Sequence, residues 1–134
     1  MDFIFKLHSE MRWLILALAA ITLIKLLVSL FGKRALDKTD NILVRTYALA
    51  LLLQLLLGLM QFVIRWEDYA GDALRHRLEH SFLMIIAIAM AHMSRRWRNS
   101  LPPVAVRNTL LMVIGSLLMI ILGILILPEA RALF

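Results

Sequence analysis

A chain of 134 residues that is 62% hydrophobic, with a mean hydropathy of +0.84, has too little polar surface to enclose so small a core in water. Its formal charge of +6 and pI near 10.5 come from 15 Lys and Arg against 9 Asp and Glu, and it has no cysteine. A soluble domain, disulfides, thiolate chemistry, iron–sulfur clusters and cysteine-ligated zinc are thereby excluded. The absence of a glycine-rich phosphate loop or a G-x-S-x-G elbow removes nucleotide and serine-hydrolase chemistry.

Crossing roughly 30 Å of hydrocarbon takes about 20 helical residues. Four apolar runs meet that need and predict helices at about 9–31, 42–65, 77–95 and 104–127. Short linkers make consecutive helices antiparallel neighbours. The expected fold is an all-α integral membrane protein, an up-down-up-down four-helix transmembrane bundle forming one domain over 1–134 with no separate soluble part.

The first helix opens on Leu7-His8-Ser9-Glu10-Met11-Arg12-Trp13. Lys6 and Arg12 followed by Ala17, Ala19 and Ala20 have the pattern of a cleaved leader, but apolar sequence continuing to Phe31 outlasts a signal core, so a retained helix is expected. Lys25, two-thirds along, reads as a side chain snorkelling toward the following basic linker. In the second helix Gln54, Gly58 and Gln61 share a face. Interhelical hydrogen bonding is the plain reading of the two glutamines, and a quinone contact at Gln61 the sharper one.

The third helix is different, because its uninterrupted apolar part, 82–93, is only about 18 Å long and cannot cross a bilayer alone. Extending it outward brings in Ser81, His80, Glu79 and Arg77, with His76 one turn beyond His80 or in the loop. Ionisable residues at that depth are functional-site candidates. His92 lies near the other end, beside Arg95 and Arg96, and reads as an interface residue. On the fourth helix Gly115 and Gly123, with Met119 between them, form a small-residue stripe suited to close packing or a subunit contact, and the methionines read as core filling.

Basic residues set the orientation. Lys33, Arg34, Lys38 and Arg45 in the first linker and Arg95, Arg96, Arg98 and Arg107 around the third place those segments in the cytoplasm by the positive-inside rule. Both termini and the second linker then lie outside, where Asp2, Glu10, Glu67, Asp68, Asp72, Glu79 and Glu129 nearly balance Lys6, Arg12, Arg65, Arg75, Arg77 and Arg131. The basic pI thus reflects anchoring to anionic lipid, with no aromatic–basic interleaving to suggest nucleic acid.

His8, His76 and His80 therefore gather at one end. Facing imidazoles on different helices of a bundle are the usual cage for an axially ligated haem, with Arg12, Arg65, Arg75 and Arg77 on hand for its propionates. Headgroup anchoring is the other reading of the same His, Arg and Trp residues.

His8-Ser9-x-x-Arg12-Trp13 on the first helix, with Glu79-His80-x-x-x-Met84 and Ala91-His92 on the third, resembles a group of small bacterial four-helix membrane proteins labelled cytochrome b-like. The resemblance covers nearly the whole chain and implies a b-type haem, electron transfer and a bacterial inner membrane. The chain departs from larger membrane b-type cytochromes in lacking a second histidine pair toward the cytoplasm. The resulting expectation is a b-type cytochrome-like protein with one haem b near the outer face. His8 and His80 would be its axial ligands, Arg12 and Arg77 would hold its propionates, and it would pass single electrons from a quinol or another redox protein. One alternative is a zinc or copper site built from His8, His76 and His80 with Glu79 or Glu10. The other is a non-enzymatic accessory subunit, within a homo-oligomer or a larger complex.

Overall fold

The computed structural model describes residues 2–97 and 99–127. Their helices are α1 (Asp2–Phe31), α2 (Lys38–Ile64), α3 (Asp72–Met93) and α4 (Pro102–Ile126), with single 3-10 turns at Trp66–Asp68 and Ser94–Trp97. The expectations at Arg98, Glu129 and Arg131 fall outside the described residues.

Each helix boundary has a local cause. No glycine or proline interrupts the chain before Gly32, so α1 runs from Asp2 rather than from near residue 9, carrying His8 and Arg12 well inside the helix. It stops in a Schellman motif. Arg34 N–H donates to the Ser29 carbonyl at 2.9 Å and Lys33 N–H to that of Leu30 at 3.1 Å, with Lys33 at φ +52° in the left-handed position. Helix α2 begins at Lys38, earlier than the apolar run suggests, because Asp37 and Asp40 form a reciprocal capping box. Gly71, at φ +56°, turns the chain into α3, whose start at Asp72 puts His76 within the helix rather than in a loop. Helix α4 opens on Pro102 and Pro103, where no intrahelical N–H is required.

Helices α1 (from Phe3), α2 and α4 are long and apolar enough to cross a membrane. Helix α3, about 33 Å long at helical rise, has the length but not the continuous apolarity. The helices close into a ring in which α1 packs on α2, α2 on α3, α3 on α4 and α4 on α1, leaving α1 and α3 diagonal to each other. The outside carries exposed apolar side chains on every long helix, among them Ile24, Leu53, Leu118 and Leu122, as a lipid-facing surface requires. Inside, fully buried Ala19, Ala87 and Ala91 let the helices approach closely. The fold is an all-α membrane bundle.

The interior is not wholly apolar. Tyr47 of α2 is fully buried, and its hydroxyl donates to Ser116 Oγ on α4 at 2.9 Å, which in turn donates to the Ala87 carbonyl of α3 at 2.8 Å. Lys25 is directed toward the following linker, as its position along α1 predicts. Its ammonium reaches toward the first linker and ends in specific partners, donating to Asp40 at 2.8 Å, Asp37 at 3.1 Å and Ser29 Oγ at 3.3 Å, which ties α1 to the start of α2. Asp40 is fully buried and takes further hydrogen bonds from Ser29 Oγ (2.9 Å) and Asp37 N–H (3.0 Å), so both carboxylate oxygens have donors.

Candidate cofactor site

At the end of the bundle bearing His8 and His80, a cavity of about 330 Å³ opens between the helices. His8 and Arg12 reach it from α1, Gln54 and Gln61 from α2, and Arg77 and His80 from α3. Its remaining walls are largely apolar, with Ile15, Leu51, Met84, Ile120 and Ile124 among them.

His8 is seated by two residues one turn apart on α2. Gln54 Nε2 donates to the His8 backbone carbonyl at 2.6 Å, and Gly58 leaves room for the ring, since a methyl group there would lie 3.0 Å from His8 Cε1. The Gln54–Gly58 face read from sequence thus serves as a socket for an imidazole.

His80 is held from α4. Its Nδ1 lies 2.8 Å from the Gly123 carbonyl, and because a carbonyl only accepts, Nδ1 carries the hydrogen. This carbonyl is available because the helix ends there. The Leu127 N–H that would satisfy it within an α-helix turns instead to Ile124 O at 3.1 Å. His80 therefore also caps α4. Gly123 packs beside the ring and against the Met84 methyl, and Gly115 likewise receives Met90, so the small-residue stripe is a packing seam for methionines of α3.

Four buried polar atoms find no hydrogen-bond partner among the described residues: His8 Nδ1, Arg12 Nε, Gln54 Oε1 and Gln61 Oε1. All four belong to residues of this cavity. Buried polar atoms are normally paired, and leaving one unpaired costs about 1–3 kcal/mol, so a cluster of four on one void marks a place built for something polar in part. Aromatic rings flank the same end. Phe62 stacks on Tyr69 with centroids 5.6 Å apart, and the Arg77 guanidinium lies 5.2 Å from the Tyr69 centroid. Arg12 lies 5.0 Å from the Trp13 centroid. The aromatic flank has no regular spacing in the sequence, because Phe62 and Tyr69 meet only through the turn at Trp66–Asp68.

The other sequence candidates are placed elsewhere. His76 is half-buried on α3 and does not line the cavity. Arg75 faces outward and pairs with Glu79 at 3.7 Å, both exposed, and Arg65 lies over the Phe5 ring at 4.5 Å. Among the described residues no group of three or more His, Asp or Glu is placed to hold a metal ion, so the zinc or copper cluster of His8, His76 and His80 with Glu79 or Glu10 is not assembled. The physical reason is that Glu79 is turned to Arg75 and Glu10 is exposed, while His76 stands a turn away from the void. His92 sits at the opposite end of α3, with Nδ1 donating to its own helix at Ile88 O, 2.9 Å.

Comparison with known protein families, with curated proteins and with solved structures finds no match to this chain. Fold and cavity together describe an all-α membrane bundle with a largely apolar cavity near one end, into which histidine, arginine and glutamine side chains reach.

Proposed function

We propose that this cavity binds one b-type haem and that the protein is a membrane b-type cytochrome-like electron carrier, with His8 and His80 as the residues that would hold the iron. The observation that carries the reading is the sharing of one largely apolar cavity by imidazoles from diagonal helices and a guanidinium whose Nε–H lacks a partner. A flat apolar ring with a central metal and acidic side arms matches those three features at once. The resemblance of the His8–Trp13 and Glu79–Met84 segments to small bacterial cytochrome b-like proteins points the same way.

The residues take distinct roles. With Nδ1–H held by the Gly123 carbonyl, the neutral form of His80 would present its lone pair at Nε2, the arrangement by which metal-bound histidines are ordinarily oriented. Gln54 fixes the backbone of α1 at His8, and Gly58 sets the space for its ring. Arg12 and Arg77 hold the propionates, with Arg77 steadied over Tyr69. The apolar walls exclude water. Haem held by His8 and His80 would supply a one-electron couple suited to outer-sphere transfer. Electrons come from a quinol or another redox protein. By the positive-inside rule the cavity lies toward the outer face of a bacterial inner membrane and the linkers bearing Lys38 and Arg95 lie in the cytoplasm.

A reduced-minus-oxidised visible spectrum of protein purified in detergent after expression with ample haem tests this. Wild type is expected to show a sharp alpha band, His76→Ala to retain it, and His80→Ala and His8→Ala to lose it. A featureless wild-type spectrum, or an undiminished band in both His8→Ala and His80→Ala, overturns the assignment.

A further inference from the structure

A second cavity, of about 340 Å³, lies near the opposite end of the bundle and is independent of the haem reading. Three cations line it. Lys38 and Arg45, seven residues apart on one face of α2, meet Arg95 from the 3-10 turn after α3. Asn41, Ser94 and Thr109 add polar groups, while Ile42 and Val44 supply apolar wall.

None of the three cations forms an ion pair among the described residues. The nearest acids in sequence, Asp37 and Asp40, are occupied by Lys25 and by each other's backbone N–H groups. Three positive charges around one void repel one another, and the ligand that relieves this is an anion.

Depth identifies the anion's source. Helix α2 is about 40 Å long, and its uncharged stretch from Thr46 to Ile64, about 28 Å at helical rise, is enough to fill roughly 30 Å of hydrocarbon, which leaves the first turns from Lys38 to Arg45 for the headgroups. The cavity therefore lies at headgroup level, and Ile42, about half exposed on the same helix, continues from it toward the lipid-facing surface. We infer that it is a binding site for the phosphate group of an anionic phospholipid, with Arg45 and Arg95 as the principal contacts and Ile42 against the first acyl carbons.

Native mass spectrometry of the protein given equal amounts of phosphatidylglycerol and phosphatidylcholine tests the site. Wild type is expected to retain phosphatidylglycerol preferentially, and each pocket cation removed is expected to weaken that preference about fivefold. Arg45→Gln/Arg95→Gln should abolish most of it, whereas Lys33→Gln/Arg107→Gln, which removes the same charge outside the cavity, should leave it intact. Equal retention of both lipids by wild type, or the same loss in both double variants, overturns the proposal. Displacement of the lipid by millimolar inorganic phosphate also overturns it, by making the site one for the free anion.

Discussion

Removing the Asp40 carboxylate is expected to destabilise the bundle more than loss of a surface ion pair, because it takes an acceptor from three donors, of which Lys25 alone keeps another carboxylate. Asp40 is fully buried and accepts from Lys25 Nζ at 2.8 Å, Ser29 Oγ at 2.9 Å and Asp37 N–H at 3.0 Å. Taking one partner from a buried pair costs about 3–5 kcal/mol, and an exposed pair is worth about 0–1. The Lys25 side chain is 24% exposed and keeps Asp37 at 3.1 Å, which sets the expected cost of Asp40→Ala at about 3 kcal/mol, the lower end of that range. Unfolding in mixed micelles by titration with a denaturing detergent measures it. Lys25→Met/Asp40→Leu, in which both charges vanish together, should be less destabilised than Asp40→Ala, its remaining cost being the Ser29 hydroxyl and the Asp37 N–H left without their acceptor. The reasoning fails if Asp40→Ala costs less than about 1 kcal/mol, or if the double variant is as unstable as the single one.

Lys33 occupies the left-handed position of the α1 Schellman motif at φ +52°, where a Cβ is disfavoured by roughly 1–2 kcal/mol, so Lys33→Gly should raise stability by about 1 kcal/mol in the same titration. Unchanged stability would show that the strain is relieved elsewhere. Gly58→Val puts branched bulk where even a methyl would already lie 3.0 Å from His8 Cε1, and should displace the ring and diminish the alpha band, while Gly58→Ala should change it less. Equal spectra for both variants and wild type would show that the glycine does not seat His8.

The helical architecture could be read from sequence because span length and apolarity are local quantities. The helix starts could not, since they depend on caps and on a helix persisting through polar residues. Asp37 and Asp40 extend α2 backward, and the absence of any glycine before Gly32 carries α1 to Asp2. At the site, helix-end position was enough to bring His8, Arg12, Arg77 and His80 to one level, and the structure places all four on one cavity. Helix rotation was not available from a pattern that is apolar on most faces, which is why His76, Arg65 and Arg75 were grouped with them although they point elsewhere. The direction of Lys25 toward the first linker is legible, but not the partners it meets there. Its partners lie 12 and 15 residues on, across a turn, where no periodicity links them.

The hydroxyl chain from Tyr47 through Ser116 to the Ala87 carbonyl has a consequence for how this bundle settles on one arrangement. Oil on every side gives a helix no reason to prefer one azimuth, because lipid tails and neighbouring leucines are nearly equivalent surroundings. A tyrosine hydroxyl has only one acceptable direction in such a medium, and here that direction indexes three helices simultaneously, as a key turned in a lock fixes its tumblers. The assembly is thus aimed by a few polar atoms and merely filled by the rest.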